Sequence, residues 1–389
     1  MSDITTPGTF VGEESFRSRS IEGVATSTAA FVGPTHAGQA GSALELLTSM
    51  VDFERHYGAG ADLVYADGSR TPNFVWHAAR AFFANGGRRL YVARTWRDDD
   101  LLPDAADFNT ALERLENFSD PAIVAAPGAT FEYDQGPTHD AEAKVQVLLD
   151  HARVKRRFAV IDSGDQQSPA GVTAMRASLD SSFGALYYPW VRVVDPGSGR
   201  DVHVPPSGFV CGVYARVDLT RGVWNAPGND AIALATGLER GVTRAELAQL
   251  GPAHVNCLRR VPARGMLIAG ARTLSSDAEW KYVNVRRLMI FLESSIERGL
   301  QWAVFEPNGD SLWLNVRQLV ENFLVVQWRA GALAGQLPDE AFFVRCDRTT
   351  MTQDDIDQGR LVCLVGVAPV RPAEFVIFRI GQWTADKKP

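Results

Sequence analysis

Asp162, His203 and Ser207 occur in the chain order used by subtilisin-type serine proteases, and their types most invite a chemical reading. A serine nucleophile needs a sharp strand-to-helix elbow that lifts its hydroxyl out of the fold, with a histidine beside it to take the proton. Ser207 sits in Pro205-Pro206-Ser207-Gly208, which offers no such elbow, so no catalytic residue is expected. Asp98-Asp99-Asp100 and Asp354-Asp355 with Asp357 could be drawn as cation sites. Loop carboxylates and the first turn of a helix opened by Thr352 explain them without a metal. The seven histidines are scattered, with no H-E-x-x-H and no pair spaced to share a helix face. Cys211, Cys257, Cys346 and Cys363 lie far apart with no C-x-x-C, so buried reduced thiols are expected, with neither a metal nor a disulfide framework. No G-x-x-x-x-G-K-[ST] loop is present to cradle phosphate, and no cofactor is implied.

The elements around these residues read as α/β from about residue 40. Phe74-Val75, Ala78-Ala79 and Phe82-Phe83 recur at helical spacing, and Asn85-Gly86-Gly87 stops that helix. Leu90–Ala93, Ala122–Ala126 and Phe158–Ile161 read as buried strands, with a helix over roughly 140–153 before the last. Strands alternating with helices of this length suggest βαβ units around a largely parallel sheet. Thr243 and Glu246 form a capping box for a short helix ending near Gly251-Pro252, and Met266–Ala269 is one more strand.

Beyond about residue 272 the pattern changes. A helix over about 281–298 places Val285, Leu288, Leu292 and Ile296 on one face and closes at Gly299. Trp302–Phe305 reads as a strand and Pro307-Asn308-Gly309 as a turn. A second long helix, roughly 311–330, buries Leu312, Val316, Leu319, Val320 and Phe323, and its later turns are apolar nearly all round. Such a helix needs cover on more than one side, from its own domain or a neighbouring chain. Strands at Phe342–Val344 and Leu361–Val367 follow, then Pro369 and Pro372, then Glu374–Ile380.

Composition narrows the classes. The chain has 389 residues, 39 Lys+Arg against 46 Asp+Glu for a net charge of −7, 46% hydrophobic and 22% charged residues. That supports two or three folded domains and excludes global disorder. The acidic balance argues against nucleic-acid binding, which needs a concentrated basic surface. Only five of the basic residues are Lys, so positive charge is almost all guanidinium, suited to bidentate pairing at interfaces, although genomic base composition produces the same skew. The first residues, MSDITTPGTF, carry Asp3 and no apolar core, so no signal peptide is expected. Gly23–Leu44 is nearly uncharged yet too rich in Ser, Thr, Gly and Pro to span a bilayer, and no membrane insertion is expected.

The most informative local feature is the final apolar segment. Val376, Phe378 and Ile380 alternate with Phe375 and Ile377, so both faces of that strand want burial. Two readings stay open: an internal strand of its own sheet, or a strand that, with Thr9-Phe10-Val11, completes a sheet in another subunit. An apolar strand with unpaired backbone groups would otherwise invite aggregation.

Several colinear segments carry a family resemblance. They are GARTLSSDAEWKYVNVRRL (270–288), QWAVFEPN (301–308), Leu312-Trp313, Trp328 with Gly331-Ala332-Leu333 and Gly335, EAFFVRCD (340–347), TMTQDDIDQGRL (350–361) and PAEFVIFRI (372–380). Thr6-Pro7-Gly8, Glu13-Glu14, Ile21–Val24, TSTAAFVG (26–33), Asn85-Gly86-Gly87, Tyr187–Trp190, Pro205–Gly208 and VYARVDLTRGVWNAP (213–227) agree. Together they resemble the tail sheath proteins of contractile phage tails, R-type tailocins and extracellular contractile injection systems. The resemblance is thinnest over 34–70 and 95–140.

It implies an α/β fold, α+β overall: a subtilisin-like but non-proteolytic α/β region over 21–270, its outer part within about 34–200, and a C-terminal sheath domain over 271–372. Extended arms lie at 1–20 and 373–389. It implies a structural subunit, not an enzyme, stacked with itself in hexameric rings around an inner tube protein and meeting baseplate and terminal cap proteins. Such particles assemble in the bacterial cytoplasm and contract from a metastable extended state to drive the tube through an envelope. The exchanged strands would be Thr9, Phe10, Val11, Phe375, Val376, Ile377, Phe378 and Ile380, swinging on linkers near Arg17, Ile21, Pro369 and Pro372. Arg317, Glu321 and Arg329 are the candidates for a weak charged contact with the tube, against the plainer reading of solvated helix charges. A subtilisin-like hydrolase and another self-assembling shell protein are the alternatives.

Overall fold

The computed structural model describes residues 20–38, 44–97, 99–135 and 140–374. Thr9, Phe10, Val11, Arg17, Phe375, Val376, Ile377, Phe378 and Ile380 lie outside the described residues.

From Ala29–Gly33 (β1) the chain passes Met50–Tyr57 (α1), the short ladder of Leu63–Val64 (β2) with Arg70–Thr71 (β3), and Phe74–Ala84 (α2), reaching Leu90–Arg94 (β4). Ala105–Arg114 (α3) leads to Ile123–Ala125 (β5), Ala141–Val154 (α4) to Phe158–Asp162 (β6), and Pro169–Ala177 (α5) to Gly184–Tyr188 (β7). Val191–Val194 (β8), Asp201–Val204 (β9), Ser207–Arg221 (α6), Gly237–Leu238 (β10), Arg244–Leu250 (α7), Val255–Val261 (β11) and Gly265–Ala269 (β12) complete the sheet region. The C-terminal region comprises Val283–Gly299 (α8), Asp310–Arg329 (α9), Pro338–Ala341 (α10), Phe342–Arg345 (β13), Gln353–Asp357 (α11) and Leu364–Val367 (β14).

The main sheet runs β12-β11-β7-β6-β5-β1-β4, parallel throughout except for β12 against β11. Its strands are near-continuous apolar runs because both faces are covered: β1, β6 and β7 are buried along their whole length. Alternation sorts the side chains. Ala29, Phe31, Val92 and Val160 pack with α1, α2 and α6, while Ala30, Val32, Ala93 and Ile161 pack with α3, α4 and α5.

Helix α8 belongs to two cores. Its Val283 and Ile290 join the sheet region's core, whereas Leu288, Phe291 and Leu292 pack against Val320, Phe323 and Leu324 of α9. Arg286 is sandwiched between Phe183 at 4.2 Å and Trp280 at 4.5 Å, so a guanidinium helps fix this helix to the sheet region.

Two expectations need correction, and one spacing reads differently in space. Trp302–Phe305 is not a strand: Gln301–Ala303 forms a 3-10 turn, backbone bonds to Leu300, Gln301 and Ala303 occupy its polar groups locally, and Phe305 has φ +70°. The strand expected over Leu361–Val367 begins only at Leu364, since Thr350 Oγ1 takes the Val362 carbonyl at 2.8 Å. The cysteines, far apart in sequence, are not all apart in space, because the antiparallel β13–β14 ladder brings Cys346 opposite Cys363.

Candidate functional site: where the terminal arms leave the body

The Asp–His–Ser set does not converge. Asp162, at the end of β6, accepts the Ser207 backbone N–H at 2.7 Å and its hydroxyl at 2.7 Å, so it caps the N-terminus of α6. Both residues are buried, and burial pushes the Asp162 carboxyl up to about 7. His203 sits on β9, its Nδ1 3.9 Å from Glu239, and it does not stand between the other two. The serine hydroxyl is therefore spent on a structural bond and has no base. The six parallel strands follow a 2-1-3-4-5-6 order, and in such sheets ligands bind where the order reverses, here between β1 and β5. Here Pro34, Phe74, Phe108, Pro127 and Phe131 line a cavity of only ≈ 30 Å³, next to an open one of ≈ 530 Å³ past the ends of β1 and β4.

The acidic runs resolve likewise. Asp99 is held by Arg97 and Asp354 and Asp355 by Arg360, while Thr352 and Asp355 form a reciprocal capping box on α11. Among the described residues no cluster of His, Cys, Asp and Glu could hold a metal ion.

Long-range hydrogen bonds also gather at the two ends of the described chain, the roots of the expected arms, and both involve α8. On the N-terminal side, buried Ile21 rests on Gly299, where an added Cβ would meet Ile21 Cγ1 at 2.7 Å. Ser295 Oγ accepts the Val24 N–H at 3.1 Å. Arg287 donates to the Thr26 carbonyl at 3.0 Å and forms a bidentate pair with Asp218 of α6 at 2.9 and 2.7 Å. The pair is almost wholly buried, 3% and 1% exposed, and Arg287 also lies 4.7 Å from the Tyr214 ring. One side chain thus ties the N-terminal root, the sheet region and α8 together.

On the C-terminal side, the segment after β14 is stitched down residue by residue. Ala368 donates to the Ala341 carbonyl at 2.8 Å and accepts from Ala334 at 2.7 Å, while Pro369 bridges to Leu333. Asn284 of α8 donates to the Trp224 carbonyl at 2.8 Å and the Val370 carbonyl at 3.2 Å. At the last described residue, Glu374 receives Arg272 at 2.7 and 2.8 Å, Lys281 at 3.0 Å and the Tyr282 hydroxyl at 3.2 Å. Hydrogen bonds from Arg272, supported by Lys281, pull its carboxyl down to about 2.

Of the sequence-derived candidates, the structure brings Ile21 and Pro369 to these roots, both anchored, with Pro372 two residues before Glu374. Arg317, Glu321 and Arg329 lie apart on α9, where Arg317 Nε and Glu321 form an i,i+4 pair at 3.6 Å with both side chains about two-fifths exposed and Arg329 is exposed on the last turn. Sequence reading missed the Arg287–Asp218 pair and the Glu374 clamp. The available signal was weak: Asp218 lies directly between Val217 and Leu219 at the end of a buried apolar run, but Arg216, Thr220 and Arg221 stand close by.

Over nearly its whole length the chain is similar to solved sheath structures. The helical sheath of the anti-feeding prophage (AFP) in its contracted state matches with TM-score 0.77 and 30% identity over 97% of this chain and 99% of that one. The PVC sheath complex of an extracellular contractile injection system, in its contracted state, matches with TM-score 0.76 and 29% identity over 98% and 99%. The phage tail sheath protein central domain matches residues 103–274, and the phage tail sheath C-terminal domain matches residues 275–382. The chain belongs to the phage tail sheath family. A protein of Pseudomonas aeruginosa (strain UCBPP-PA14) described as a prophage major tail sheath protein is 25% identical over 277 residues, 68% of this chain and 67% of that one. The present chain is thus a structural subunit of a contractile tail sheath, and its α/β architecture is that of sheath proteins. Among the described residues no helix is long and apolar enough to cross a membrane.

Proposed function

We propose that this sheath subunit stacks with itself in hexameric rings around an inner tube, and that contraction from a metastable extended state drives the tube through a target envelope. The observation that carries the reading is the likeness, over 97% of the chain, to a helical sheath in its contracted state. In this reading residues 1–20 and 373–389 are arms, 21–270 the α/β region and 271–372 the sheath domain. The arm strands, Thr9–Val11 and Phe375–Ile380, add to the β13–β14 ladder of neighbouring copies. Two features support this. Among the described residues that ladder has two strands, too few to be stable alone, and Phe343 and Leu364 on it are 48% and 50% exposed.

Because Ile21 and Pro369 are anchored, the hinges expected near Ile21, Pro369 and Pro372 move outward in this reading, to the chain before Ile21, near Arg17, and beyond Glu374. Main-chain bonds in the exchanged strands keep neighbours joined while domain faces repack. At about 25 cal/mol per Å² of apolar area, modest extra burial per subunit sums over a long sheath to a large driving force. Arg317, Glu321 and Arg329 supply the weak tube contact that releases on contraction. Baseplate and terminal cap proteins are the end partners, assembly takes place in the bacterial cytoplasm, and the subunit performs no catalysis. Electron microscopy of the purified full-length chain tests the reading: hollow tubes with six-fold averages are expected. Flat sheets would point to another shell protein, and unassembled protein with serine-probe labelling lost in Ser207→Ala would point to a hydrolase.

A further inference from the structure

Cys346 and Cys363 face each other across the C-terminal ladder, one step beyond its last pair. In β13–β14, Phe342 lies opposite Val367, Val344 opposite Val365 and Arg345 opposite Leu364, so the same register places Cys346 opposite Cys363. The Ala368 N–H to Ala341 carbonyl bond marks that pair as hydrogen-bonded. Alternation then makes 343/366 and 345/364 hydrogen-bonded, and 346/363 a pair without ladder bonds. Such pairs stand about 4.5 Å apart at Cα, within the roughly 4.4–6.8 Å that a disulfide spans. Both side chains point inward, with Cys346 2% exposed among Leu312, Trp313, Val316 and Met351 and Cys363 half-buried beside it. Both thiols are free, and they interact directly.

We propose that Cys346 and Cys363 form a dithiol site that closes to a cross-strand disulfide when the protein meets a two-electron oxidant such as hydrogen peroxide. Cys363 is the more accessible sulfur, and the Cys346 hydrogen shared toward it holds its thiol below the usual range. Its thiolate attacks a peroxide oxygen, the O–O bond breaks, and the departing hydroxide leaves as water, giving a sulfenic acid on Cys363. The Cys346 sulfur then displaces that oxygen as a second water. Two thiols have lost two protons and two electrons, and the peroxide has been reduced to two waters. The bond closes a ring around α11 and fixes β14, the strand that runs directly into the stitched root ending at Glu374. It thereby staples the origin of the C-terminal arm once the protein leaves a reducing compartment.

Cys211 and Cys257 are internal controls. Both are buried, and burial pushes Cys257 up to about 12 and Cys211 well above the usual thiol range. The experiment uses the full-length chain, reduced, then exposed to hydrogen peroxide, acid-quenched, denatured, blocked with N-ethylmaleimide and mapped by peptide mass spectrometry. The expected result is a Cys346–Cys363 linked peptide, with Cys211 and Cys257 still carrying maleimide. The thermal midpoint of the oxidised protein should rise by roughly 4 °C or more, reversibly with dithiothreitol and not in Cys346→Ala or Cys363→Ala. The dithiol site is overturned if Cys346 still carries maleimide after peroxide, whether Cys363 is free or has gone on to sulfinic acid. A linked peptide with an unchanged midpoint would overturn the staple.

Discussion

The sheet region covers both faces of its main sheet, while the much shorter C-terminal region exposes as many large apolar side chains, eight each among the described residues. In the first, helices close both faces of a seven-stranded sheet, β1, β6 and β7 are buried along their length, and aromatic rings narrow the cavity at the switch point to ≈ 30 Å³. In the second, the ladder has two strands among the described residues, and Val304, Phe305, Val326, Phe343 and Leu364 are 48–102% exposed. The contrast teaches where rigidity and assembly are divided. The sheet region buries its main sheet between helices, while the C-terminal region presents denser apolar surface and a short ladder, which under the proposed function neighbouring copies cover.

The largest way to disturb that division is at the junction. Arg287→Ala leaves Asp218 as an uncompensated buried charge and should cost about 3–5 kcal/mol by urea unfolding. Replacing both partners, Arg287→Met with Asp218→Leu, should recover most of it. Smaller effects separate the two regions. Gly208→Ala drives a Cβ to 2.5 Å from the Ala78 backbone, whereas Gly299→Ala meets the Ile21 side chain at 2.7 Å. Both fall within the roughly 1–3 kcal/mol of overpacking, and Gly208→Ala should be the worse because backbone cannot turn aside. Equal thermal midpoints would erase the contrast in rigidity.

Two pH effects are opposite in sign. Asp162 is raised from 3.8 to about 7, so the native state keeps a proton that the unfolded chain releases, and its contribution falls as pH rises from about 4 to 7. Glu374 is lowered from 4.5 to about 2, so its contribution is present above about 4.5 and is lost as pH falls toward 2. Asp162→Asn should flatten the first slope in global unfolding. Glu374→Gln should flatten the second, read as hydrogen exchange at residues 366–374.

Much of the sheet region was legible because its strands are continuous apolar runs bounded by Gly and Pro, as in Ala122–Ala126 before Pro127-Gly128. Helix α6 was not, because Phe209 through Ala215 are all buried and a helix without a polar face has no periodic stripe to read. Helix α1 was missed for the reverse reason: its eight residues bury only Phe53 and Tyr57, and its signal is the Ser49 cap on the Asp52 N–H. Trp302–Phe305 misled because an apolar run names burial rather than a partner strand, and Phe305 is fully exposed on a left-handed turn. The roots were half legible. Pro369 and Pro372 mark the stitched segment, but the clamp on Glu374 joins Arg272, Lys281 and Tyr282 from about ninety residues away, a separation no local pattern reports.

The measurement that bears most directly on the arms is a truncation of residues 375–389, which keeps Glu374 and its clamp, compared with the full chain by gel filtration, thermal unfolding and electron microscopy. The truncated protein should remain soluble, unfold at the same midpoint as the unassembled full chain, and form no tubes. Normal sheaths from the truncated protein would contradict strand exchange through the C-terminal arm.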